Sequence, residues 1–464
     1  MENQDNRKQM ISTVLGCAET IHFAGIGGIS MSSLALWART AGYKVTGSDS
    51  TSSERTQMLI GEGIPVKIGH NADNISSADV VVYSVALPSD NPELVSAKYR
   101  GIPCLTRAEF LGYMMSFYKA RIGVSGTHGK STTTAMISSI FLLAGADPTV
   151  ECGAVIPSIK GASRVGGDRG IFIYEACEYR DSFLSFSPTD AVITNIEYDH
   201  TDYFPDIDAV VASFAKSIAG ADTLYLNVDN EHALKAAQGY GGEIVTISTK
   251  GKTAEFGISG LKITKGKPKF TITHYGKPIV KIDLPMIGEF NVANALCAAA
   301  VAYKYNIPPS IISSALSSFC GVERRFELKG EFGGIEIYDD YAHHPDEIDA
   351  TLSTLPSLGY DNIWLVFQPH TYSRTKDLWK GFVEVFKKAK SQGINVILAD
   401  IYAAREKPVA KIRSDLLATA CDAKYVGDFD NIAAYIKANA KKGDLVVTMG
   451  AGEANKVGDI LLGR

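Results

Sequence analysis

Short apolar runs that end in glycine or polar residues recur along the chain and predict strands with loops at their carboxyl ends. The first predicted strand is Thr20–Ala24, followed by a helix from Met31 and a second strand over 44–47. The predicted strands of the last segment are Ile335–Tyr338, Ile363–Phe367, Val396–Leu398 and Leu445–Thr448. Because helical stretches separate these strands, the pattern predicts α/β domains built on mostly parallel sheets.

A glycine loop in the middle of the chain follows a short apolar strand over 122–124 and precedes an apolar helix over 136–143. Glycines let backbone N–H groups converge on phosphate oxygens, and a lysine followed by Ser/Thr serves the terminal phosphates and Mg²⁺. Val124 stands where the full phosphate-loop pattern has its first glycine, so an ordinary glycine-rich turn is the alternative. The residues predicted to bind a nucleoside triphosphate are Gly126, Thr127, Gly129, Lys130, Ser131 and Thr132.

Acidic residues end the next two predicted strands. Glu175 closes the first strand, and the strand over 190–196 leads into a polar cluster that contains Glu197, Asp199, His200 and Asp202. A strand-end carboxylate can reach a Mg²⁺ ion held by Ser131, because such a site needs few protein oxygens. The pattern therefore predicts cation ligands at Ser131, Glu175 and His200. Solvent-facing acids and a packed histidine are the alternatives.

The first glycine loop, residues 25–30, lies between a strand and a helix in a predicted βαβ unit. Such a loop places a diphosphate at the helix N-terminus, and Asp49 stands roughly where a ribose-binding acid is expected. Ser30 replaces the third glycine of the dinucleotide fingerprint, so the motif predicts a diphosphate without establishing NAD. His70, after another short strand, either contacts the ligand or lies at the surface.

Alternating polar and apolar residues over 222–285 predict a small antiparallel sheet appended to the nucleotide core. Asn291 and Asn294 share one face of the following helix and either cap it or recognise a base. Arg325, in a pair of arginines, is either solvated or clamps an anion. In the last segment, polar clusters at three strand ends predict a substrate-facing edge; they contain Asp340, His343, His344, His370, Arg374 and Glu453.

Composition narrows the class of protein. With 464 residues the chain is too long for one core, and we predict domains over 1–118, 119–325 and 326–464. A net charge of −5 gives no reason to expect a nucleic acid or an anionic membrane as partner. Seven scattered cysteines, a polar beginning and no long apolar stretch predict a cytoplasmic enzyme with reduced thiols.

Taken in order, these motifs closely resemble those of the Mur ligases, ATP-dependent enzymes that form amide bonds in peptidoglycan precursor assembly. The resemblance extends from about Ile21 to Gly452 and rests on several motifs: Gly25–Met31, Gly126–Thr134, Glu175–Glu178, Asn195–His200, Arg324–Phe326, Asp339–Pro345 and Gln368–His370. The first glycine motif and the His-His-Pro stretch are similar to those of members that act on UDP-N-acetylmuramate. These members add either L-alanine or, in recycling, an intact tripeptide.

The resemblance implies an α/β fold with three domains: a Rossmann-like N-terminal domain, a central domain like P-loop ATPases with a small antiparallel sheet, and a Rossmann-like C-terminal domain. It implies UDP-N-acetylmuramate and L-alanine as substrates, ATP with two Mg²⁺ ions (Mn²⁺ as a substitute), and a monomer or weak homodimer. The sugar nucleotide would be bound by Gly25, Gly27, Gly28, Ile29, Ser30, Asp49, His70, His370 and Arg374. The ATP site would also include Asn291, Asn294, Arg325 and Asp340, and the catalytic residues would be Lys130, His200, His344 and Arg374.

Three residues depart from the usual family pattern. Ser30 replaces a glycine, Phe290 replaces a histidine near the adenine, and Thr371 replaces an arginine, which leaves Arg374 more of the anion binding. Three rival functions remain: the tripeptide-adding recycling ligase, an NAD-dependent oxidoreductase built on the first glycine loop, and a nucleotide-dependent switch without ligase chemistry. The oxidoreductase leaves the phosphate loop, Glu175 and His200 unexplained.

Overall fold

The structure is a computed structural model that describes residues 2–167, 169–200, 203–404 and 406–464. Within these ranges, the strands form three separate sheets, and most neighbouring strands are parallel. Helices connect most of the parallel strands, as is usual for such crossovers. The predicted α/β fold class is confirmed. In the described part of the chain, no helix has both the length and the hydropathy needed to cross a bilayer.

The first sheet is parallel and has the strand order β3-β2-β1-β4-β5. Its strands are β1 (Thr20–Ala24), β2 (Lys44–Asp49), β3 (Val66–Ile68), β4 (Val80–Tyr83) and β5 (Cys104–Thr106). Its helices are α1 (Glu2–Cys17), α2 (Ile29–Thr40), α3 (Glu54–Gly61), α4 (Pro92–Arg100) and α5 (Arg107–Met115). The strand order reverses between β1 and β4, and the first glycine loop lies at the carboxyl end of β1, where open sheets bind ligands.

The second sheet has the order β15-β14-β13-β12-β11-β10-β6-β9-β7-β8. Its strands are β6 (Ala120–Ser125), β7 (Thr149–Ile156), β8 (Gly161–Arg164), β9 (Ile171–Glu175), β10 (Asp190–Ile193), β11 (Thr223–Asn227), β12 (Glu243–Ile247), β13 (Phe256–Thr264), β14 (Lys267–His274) and β15 (Lys277–Asp283). The helices of this part of the chain are α6 (Lys130–Leu143), α7 (Ile207–Ile218), α8 (Glu231–Ala236), α9 (Phe290–Lys304) and α10 (Pro309–Ser317). Strand β6 pairs in parallel with β10 and β9, so the ends of these three strands surround the phosphate loop.

The antiparallel sheet predicted over 222–285 is present as β13, β14 and β15, which continue the second sheet. The prediction is wrong for the first part of that range, because β11 there pairs in parallel with β10 and with β12. β13, β14 and β15 are neighbours joined by two-residue turns, and neighbours with such short connections must be antiparallel. Both residues of each turn have positive φ, at Lys265 and Gly266 and at Tyr275 and Gly276, as type I′ hairpin turns require.

The third sheet has the order β16-β17-β21-β18-β19-β20, with β16 antiparallel to β17 and the remaining neighbours parallel. Its strands are β16 (Glu327–Phe332), β17 (Ile335–Asp340), β18 (Ile363–Phe367), β19 (Ile394–Ala399), β20 (Lys424–Gly427) and β21 (Leu445–Met449). Its helices are α11 (Pro345–Leu352), α12 (Tyr372–Asp377), α13 (Trp379–Ser391), α14 (Ser414–Cys421), α15 (Phe429–Asn439) and α16 (Asn455–Leu462). All four strands predicted for this segment are present.

The chain divides into two compact units. Unit 1 comprises 1–260, 270–282 and 292–317, and unit 2 comprises 261–269, 283–291 and 318–464. Unit 1 contains the first sheet and most of the second because one hydrophobic core joins them. Within that core, Trp37 stacks on Phe172 with 5.3 Å between ring centroids. Two further clusters form the core of unit 2. The predicted domain boundaries remain predictions.

Candidate active site

The phosphate loop connects β6 to α6 and needs glycine at two positions. Gly126 has a φ of 142° and Gly129 a φ of 83°, a conformation that favours glycine. A Cβ atom at Gly126 would overlap the Thr194 hydroxyl, and one at Gly129 would overlap the Asn294 amide. Because α6 begins at Lys130, its N-terminal N–H groups and its dipole favour an anion at this loop. The loop geometry fits a nucleotide phosphate.

Asn195 holds the phosphate loop, a role that the sequence analysis did not assign. Its Oδ1 accepts from the His128 N–H at 2.9 Å, and its Nδ2 donates to the His128 carbonyl at 2.9 Å. Its own carbonyl accepts from the Thr127 N–H at 3.0 Å. The end of β10 therefore fixes the loop from the side. Its sequence signals were its position at the end of a predicted strand and its place at the start of the motif Asn195–His200.

The Lys130 ammonium donates to the carbonyl oxygens of Gly126 at 2.6 Å and Thr127 at 3.1 Å, and it lies 2.9 Å from the Glu178 carboxylate. Burial is the largest single influence and would lower the pKa of Lys130, but Glu178 together with Cys177 and Glu175 outweighs it and raises that pKa. Burial would raise the pKa of Glu178, which is 2% exposed, but Lys130 and His200 lower it. Lys130 is thus held as a cation at the phosphate loop. The sequence analysis did not single out Glu178.

His200, a predicted cation ligand, lies on the other side of Glu178. Its Nε2 is 3.6 Å from Glu178 Oε1, and its ring packs on Tyr179 at 4.7 Å between centroids. Burial favours the neutral ring, but Glu178 and Asp199 outweigh it and raise the pKa of His200. Only a neutral imidazole binds a metal ion, so metal binding at His200 would require release of this proton. The structure places His200 beside the lysine of the phosphate loop.

Glu175 ends β9 next to the phosphate loop, paired in register with Val124 of β6. Its Oε2 accepts from the Gly153 N–H at 2.8 Å and from the Cys152 thiol at 3.7 Å. The sulfur of the same thiol lies 3.6 Å from the Ser131 carbonyl oxygen, which places the Glu175 carboxylate near the first turn of α6. A carboxylate and a hydroxyl at this position fit a Mg²⁺ ion that keeps most of its ligands from nucleotide and water.

The other acids that follow β10 make separate contacts in the described chain, and Asp199 Oδ2 lies 3.9 Å from His200 Nε2. Glu197 lies 3.3 Å from His128, whose hydrogen bond lowers the pKa of Glu197. Asp199 accepts from the backbone N–H of His200 at 2.6 Å, and Asp202 lies outside the described residues. Across the described ranges, no three His, Cys, Asp or Glu side chains are grouped closely enough to hold a metal ion.

Asn291 and Asn294 are both buried. The Asn291 amide donates to the Ile287 carbonyl at 2.8 Å, and the Asn294 amide lies against Gly129 of the phosphate loop. Asn294 therefore supports the loop from the first turns of α9. The predicted adenine contact of the two asparagines remains a prediction.

The first glycine loop wraps around the end of β2. The N–H groups of Gly25 and Ile26 donate to the Ser48 carbonyl at 2.8 and 2.9 Å, and the Gly27 N–H donates to Asp49 Oδ2 at 2.9 Å. Gly28 precedes α2, so the helix N-terminus is directed at the loop, as a diphosphate site requires. Asp49, predicted to bind ribose, is thus also a support of the loop.

His70 belongs to a buried polar network. Its Nδ1 lies 3.0 Å from Glu93, which also accepts from Ser48 at 2.7 Å and from Asn74 at 2.6 Å. Burial would raise the pKa of Glu93, but these groups and His22 lower it to about 2. Glu93 therefore fixes the orientation of His70 at the carboxyl ends of β2 and β3. Glu93 lies in the helix α4 and was not among the residues predicted to form the site.

Ser30, where the fingerprint has glycine, makes two polar contacts. Its hydroxyl donates to Glu151 of β7, and Arg107 Nη1 donates to the Ser30 oxygen at 2.9 Å. Burial raises the pKa of Glu151 to about 7, although Ser30 and Arg107 oppose that rise. No local pattern indicated Glu151, because 121 positions separate it from Ser30.

In unit 2, arginine and aspartate side chains lie at the end of β17. Arg324 donates to Asp339 at 2.9 Å and to the Gly452 carbonyl at 3.0 Å. It therefore links the segment before β16 to β17 and to the loop after β21. Arg325 lies above the Tyr341 ring, 5.9 Å from its centroid. Burial raises the pKa of Asp340 to about 6, against the lowering effects of the Ala342 N–H and Arg325.

The paired histidines differ in their surroundings. His344 precedes α11 and caps it, with Nδ1 accepting from the Asp346 N–H at 3.4 Å. His343 lies 6.2 Å from His370 between ring centroids. Burial lowers the pKa of His343, and Arg374 and Arg325 lower it further. The structure thus brings His343, rather than the predicted base His344, next to His370.

His370 and Arg374 lie together at the end of β18. Their side-chain nitrogens are 3.5 Å apart, and the His370 ring stacks on Tyr402 at 5.6 Å. Burial, Arg374 and His343 lower the pKa of His370 to about 4. Thr371 between them has φ 62° and ψ 150°, a strained conformation for a residue with a side chain. Its hydroxyl accepts from the Arg374 N–H at 3.4 Å, which fixes the start of α12.

The chain belongs to the Mur ligase family. Three family models match successive parts of the chain. They are the "Mur ligase family, catalytic domain" over residues 20–119, the "Mur ligase middle domain" over 124–302 and the "Mur ligase, glutamate ligase domain" over 324–452. The resemblance stated from the motifs is therefore confirmed, and the fold is that of a three-domain Mur ligase.

Several relatives are similar over nearly the whole chain. A UDP-N-acetylmuramate–L-alanine ligase of Acetivibrio thermocellus is 44% identical over 95% of both chains, and one of Lachnospira eligens is 43% identical over 95% of this chain and 97% of its own. Among solved structures, a UDP-N-acetylmuramate–alanine ligase of Thermotoga maritima has a TM-score of 0.79 at 28% identity, over 96% of this chain and 98% of its own.

Proposed function

We propose that this chain joins L-alanine to the lactyl carboxylate of UDP-N-acetylmuramate and converts ATP to ADP and phosphate. The observation that carries the proposal is the 44% identity to an enzyme of that name over 95% of both chains. The reaction belongs to peptidoglycan precursor synthesis, and we assign it to the cytoplasm, where ATP and the sugar nucleotide are available.

The central domain binds ATP in this proposal. Gly126, Thr127, Gly129, Lys130, Ser131 and Thr132 hold its phosphates, with Asn291, Asn294, Arg325 and Asp340 as further nucleotide contacts. Ser131, Glu175 and His200 are the candidate ligands of one or two Mg²⁺ ions, which Mn²⁺ could replace. Support comes from the glycine cradle and from the Glu175 carboxylate at the first turn of α6. When bound, the cation neutralises charge on the phosphates.

Two successive steps account for the reaction. The lactyl carboxylate attacks the γ-phosphorus of ATP, which forms an acyl phosphate and releases ADP; the amine of L-alanine then attacks the acyl carbon, and phosphate leaves. Both partners of the first step are anions, so the Lys130 cation offsets their repulsion. Closure around the acyl phosphate would exclude water, which otherwise hydrolyses it.

The alanine amine must arrive without its extra proton, and a neutral histidine is a suitable acceptor. His344 is the candidate assigned from the family resemblance. The lowered pKa values of His343 and His370 keep both rings neutral at physiological pH. Each of these rings can therefore also accept a hydrogen bond from the ammonium group of L-alanine. Arg374 beside them would bind a carboxylate or phosphate.

The N-terminal domain holds the sugar nucleotide in this proposal. Gly25, Gly27, Gly28, Ile29 and Ser30 form the diphosphate site at the N-terminus of α2. Asp49 and His70 flank the site, and His370 and Arg374 of the C-terminal domain are further candidate ligands of the substrate. The support is the geometry of the loop, which Ser48 and Asp49 hold in shape and which ends at Gly28, where the N-terminus of α2 begins.

Phosphate release from MgATP tests the proposal. The assay combines UDP-N-acetylmuramate with L-alanine, glycine, L-serine or the tripeptide, and a control omits the amine. Release that depends on both the sugar nucleotide and L-alanine is the expected result. Release with the tripeptide alone would assign the chain to muropeptide recycling, and hydrolysis indifferent to all acceptors would refute the ligase. Light scattering of the same preparation tests the proposed monomer or weak homodimer.

A further inference from the structure

The contact between Ser30 and Glu151 joins the first glycine loop to the second sheet, and the reaction described above does not use it. Ser30 is the second residue of α2, next to the proposed diphosphate site. Glu151 lies inside β7 and is 7% exposed. The Ser30 hydroxyl donates to Glu151 Oε1 and accepts from Arg107 Nη1 at 2.9 Å. Three side chains from different elements therefore meet, of which Glu151 is buried and Ser30 and Arg107 are partly exposed.

A carboxyl group inside a strand costs free energy unless hydrogen bonds compensate for its lost hydration. Glu151 has Ser30 as a hydrogen-bond donor and the positive charge of Arg107 nearby. Arg107 is itself held in place, because it is the first residue of α5 behind the capping box of Thr106 and Glu109. Glu151 thus belongs to a polar network whose hydrogen bonds are satisfied. An apolar residue at the same position would cost less free energy to bury.

Glu151 also lies close along the chain to the candidate cation site. Strand β7 pairs with β9, with Glu151 opposite Tyr174, the residue before Glu175. Two positions after Glu151, the Gly153 N–H donates to Glu175 Oε2 at 2.8 Å. Between them, the Cys152 thiol contacts both Glu175 and the Ser131 carbonyl. A displacement of β7 at Glu151 would therefore also move Cys152 and Gly153, which hold the Glu175 carboxylate.

We propose that Glu151 is a positioning residue that fixes the first glycine loop, through Ser30 and with Arg107, to the strand that orients Glu175. The network couples binding of the sugar diphosphate at the loop to cation binding beside the phosphate loop. This inference rests on the proposed function, since it assigns the loop to UDP-N-acetylmuramate. Glu151 is too deeply buried to reach a substrate, so its effect passes through Ser30 and β7.

Binding measurements on the full chain test the proposal. Isothermal titration calorimetry gives the Kd of UDP-N-acetylmuramate. Electron paramagnetic resonance gives the cation affinity, from a titration with Mn²⁺ in the presence of a non-hydrolysable ATP analogue. For Ser30→Ala and for Glu151→Leu we expect both affinities to fall by about fivefold to tenfold, a typical coupling between linked sites. Glu151→Gln keeps an acceptor for Ser30 and should stay within about twofold of wild type.

Ser33→Ala is the matched control, because the Ser33 hydroxyl donates to the Ile29 carbonyl of its own helix. It should leave both affinities unchanged. The double variant Ser30→Ala/Glu151→Leu should lose no more affinity than the worse single variant, since residues of one network are not additive. Thermal melts show whether each variant folds. If Glu151→Leu does not fold, the two affinities of Ser30→Ala, at the partly exposed end of the contact, test the proposal.

Two outcomes would overturn the inference. One is a lower melting temperature of Ser30→Ala with both affinities unchanged, which would make the contact merely structural. The other is additive losses in the double variant. Failure of the proposed function looks different, because the wild-type chain itself would then not bind UDP-N-acetylmuramate.

Discussion

Lys130 is surrounded by oxygen atoms of Gly126, Thr127 and Glu178, so its charge is held at the phosphate loop. We expect Lys130→Ala to lower kcat by at least about 10²–10³-fold, the usual effect of losing one group that stabilises transition-state charge. The Kd of UDP-N-acetylmuramate should not change. Phosphate release and calorimetry measure the two quantities. Lys216→Ala, at an exposed position of α7, is the control. Normal ATP turnover by Lys130→Ala would refute the phosphate-loop assignment.

Glu151 makes stability depend on pH. Burial raises its pKa to about 7, from an ordinary value of 4.5, so the folded chain binds this proton more tightly than the unfolded chain does. The resulting stabilisation is present below pH 4.5 and is lost as the pH rises to about 7; a shift of this size corresponds to roughly 3 kcal/mol. Glu151→Gln lacks this titration, so its free energy of unfolding should rise relative to wild type as the pH increases from 4.5 to about 7.

Urea unfolding at a series of pH values measures this difference. Trp37, in the core of unit 1, is a local fluorescent reporter when Trp364 and Trp379 of unit 2 are replaced by phenylalanine in both proteins. Parallel stability curves for Glu151→Gln and its parent would mean that Glu151 titrates alike in the folded and unfolded chain.

At the scale of single elements, the phosphate loop depends on the absence of a side chain at Gly129. A Cβ atom there would overlap Asn294, and the positive φ adds strain of about 1–2 kcal/mol. We expect Gly129→Ala to weaken ATP binding by at least about tenfold, and Gly129→Ala/Asn294→Gly to restore part of it. Gly145→Ala, after the end of α6, has similar strain but open space, and should leave ATP affinity unchanged. Equal losses in the two alanine variants would contradict the steric explanation.

Elements with local signals were predictable, and contacts between distant elements were not. The strands β1, β6, β18 and β21 follow from apolar runs bounded by glycine or polar residues, and both glycine loops follow from spacing. Asn195 and Glu178 lay inside noted motifs, but their roles depend on the pairing of β6 with β10 and β9. No sequence pattern predicted that Glu93 and Glu151 are buried, because a carboxylate in a helix or strand is expected to be exposed unless its partners are known.

At the scale of the whole molecule, two compact units with separate hydrophobic cores should respond separately to core mutations. Phe214 packs edge-to-face on Phe183 in unit 1, and Phe386 packs against Phe367 in unit 2, each at 5.1 Å between centroids. Phe214→Ala and Phe386→Ala should each cost about 3–5 kcal/mol in their own unit. Scanning calorimetry should show a different transition lowered in each variant.

Ligand binding provides the second readout of this prediction. Phe386→Ala should retain the wild-type Kd for UDP-N-acetylmuramate near the midpoint of its lowered transition, because the first glycine loop belongs to unit 1. Phe214→Ala should lose that binding as its own unit unfolds. A single transition that both substitutions lower equally would show that the two units unfold as one cooperative body.

The contact between Ser30 and Glu151 also constrains how the sequence evolves. A change of Ser30 to glycine alone removes the hydroxyl donor from a buried carboxyl group, and a change of Glu151 to an apolar residue alone leaves Ser30 and Arg107 facing a non-polar surface. We therefore expect either single step to be disfavoured while the other residue is unchanged. Across descendants of this chain, the two positions should therefore be exchanged together, although 121 positions separate them.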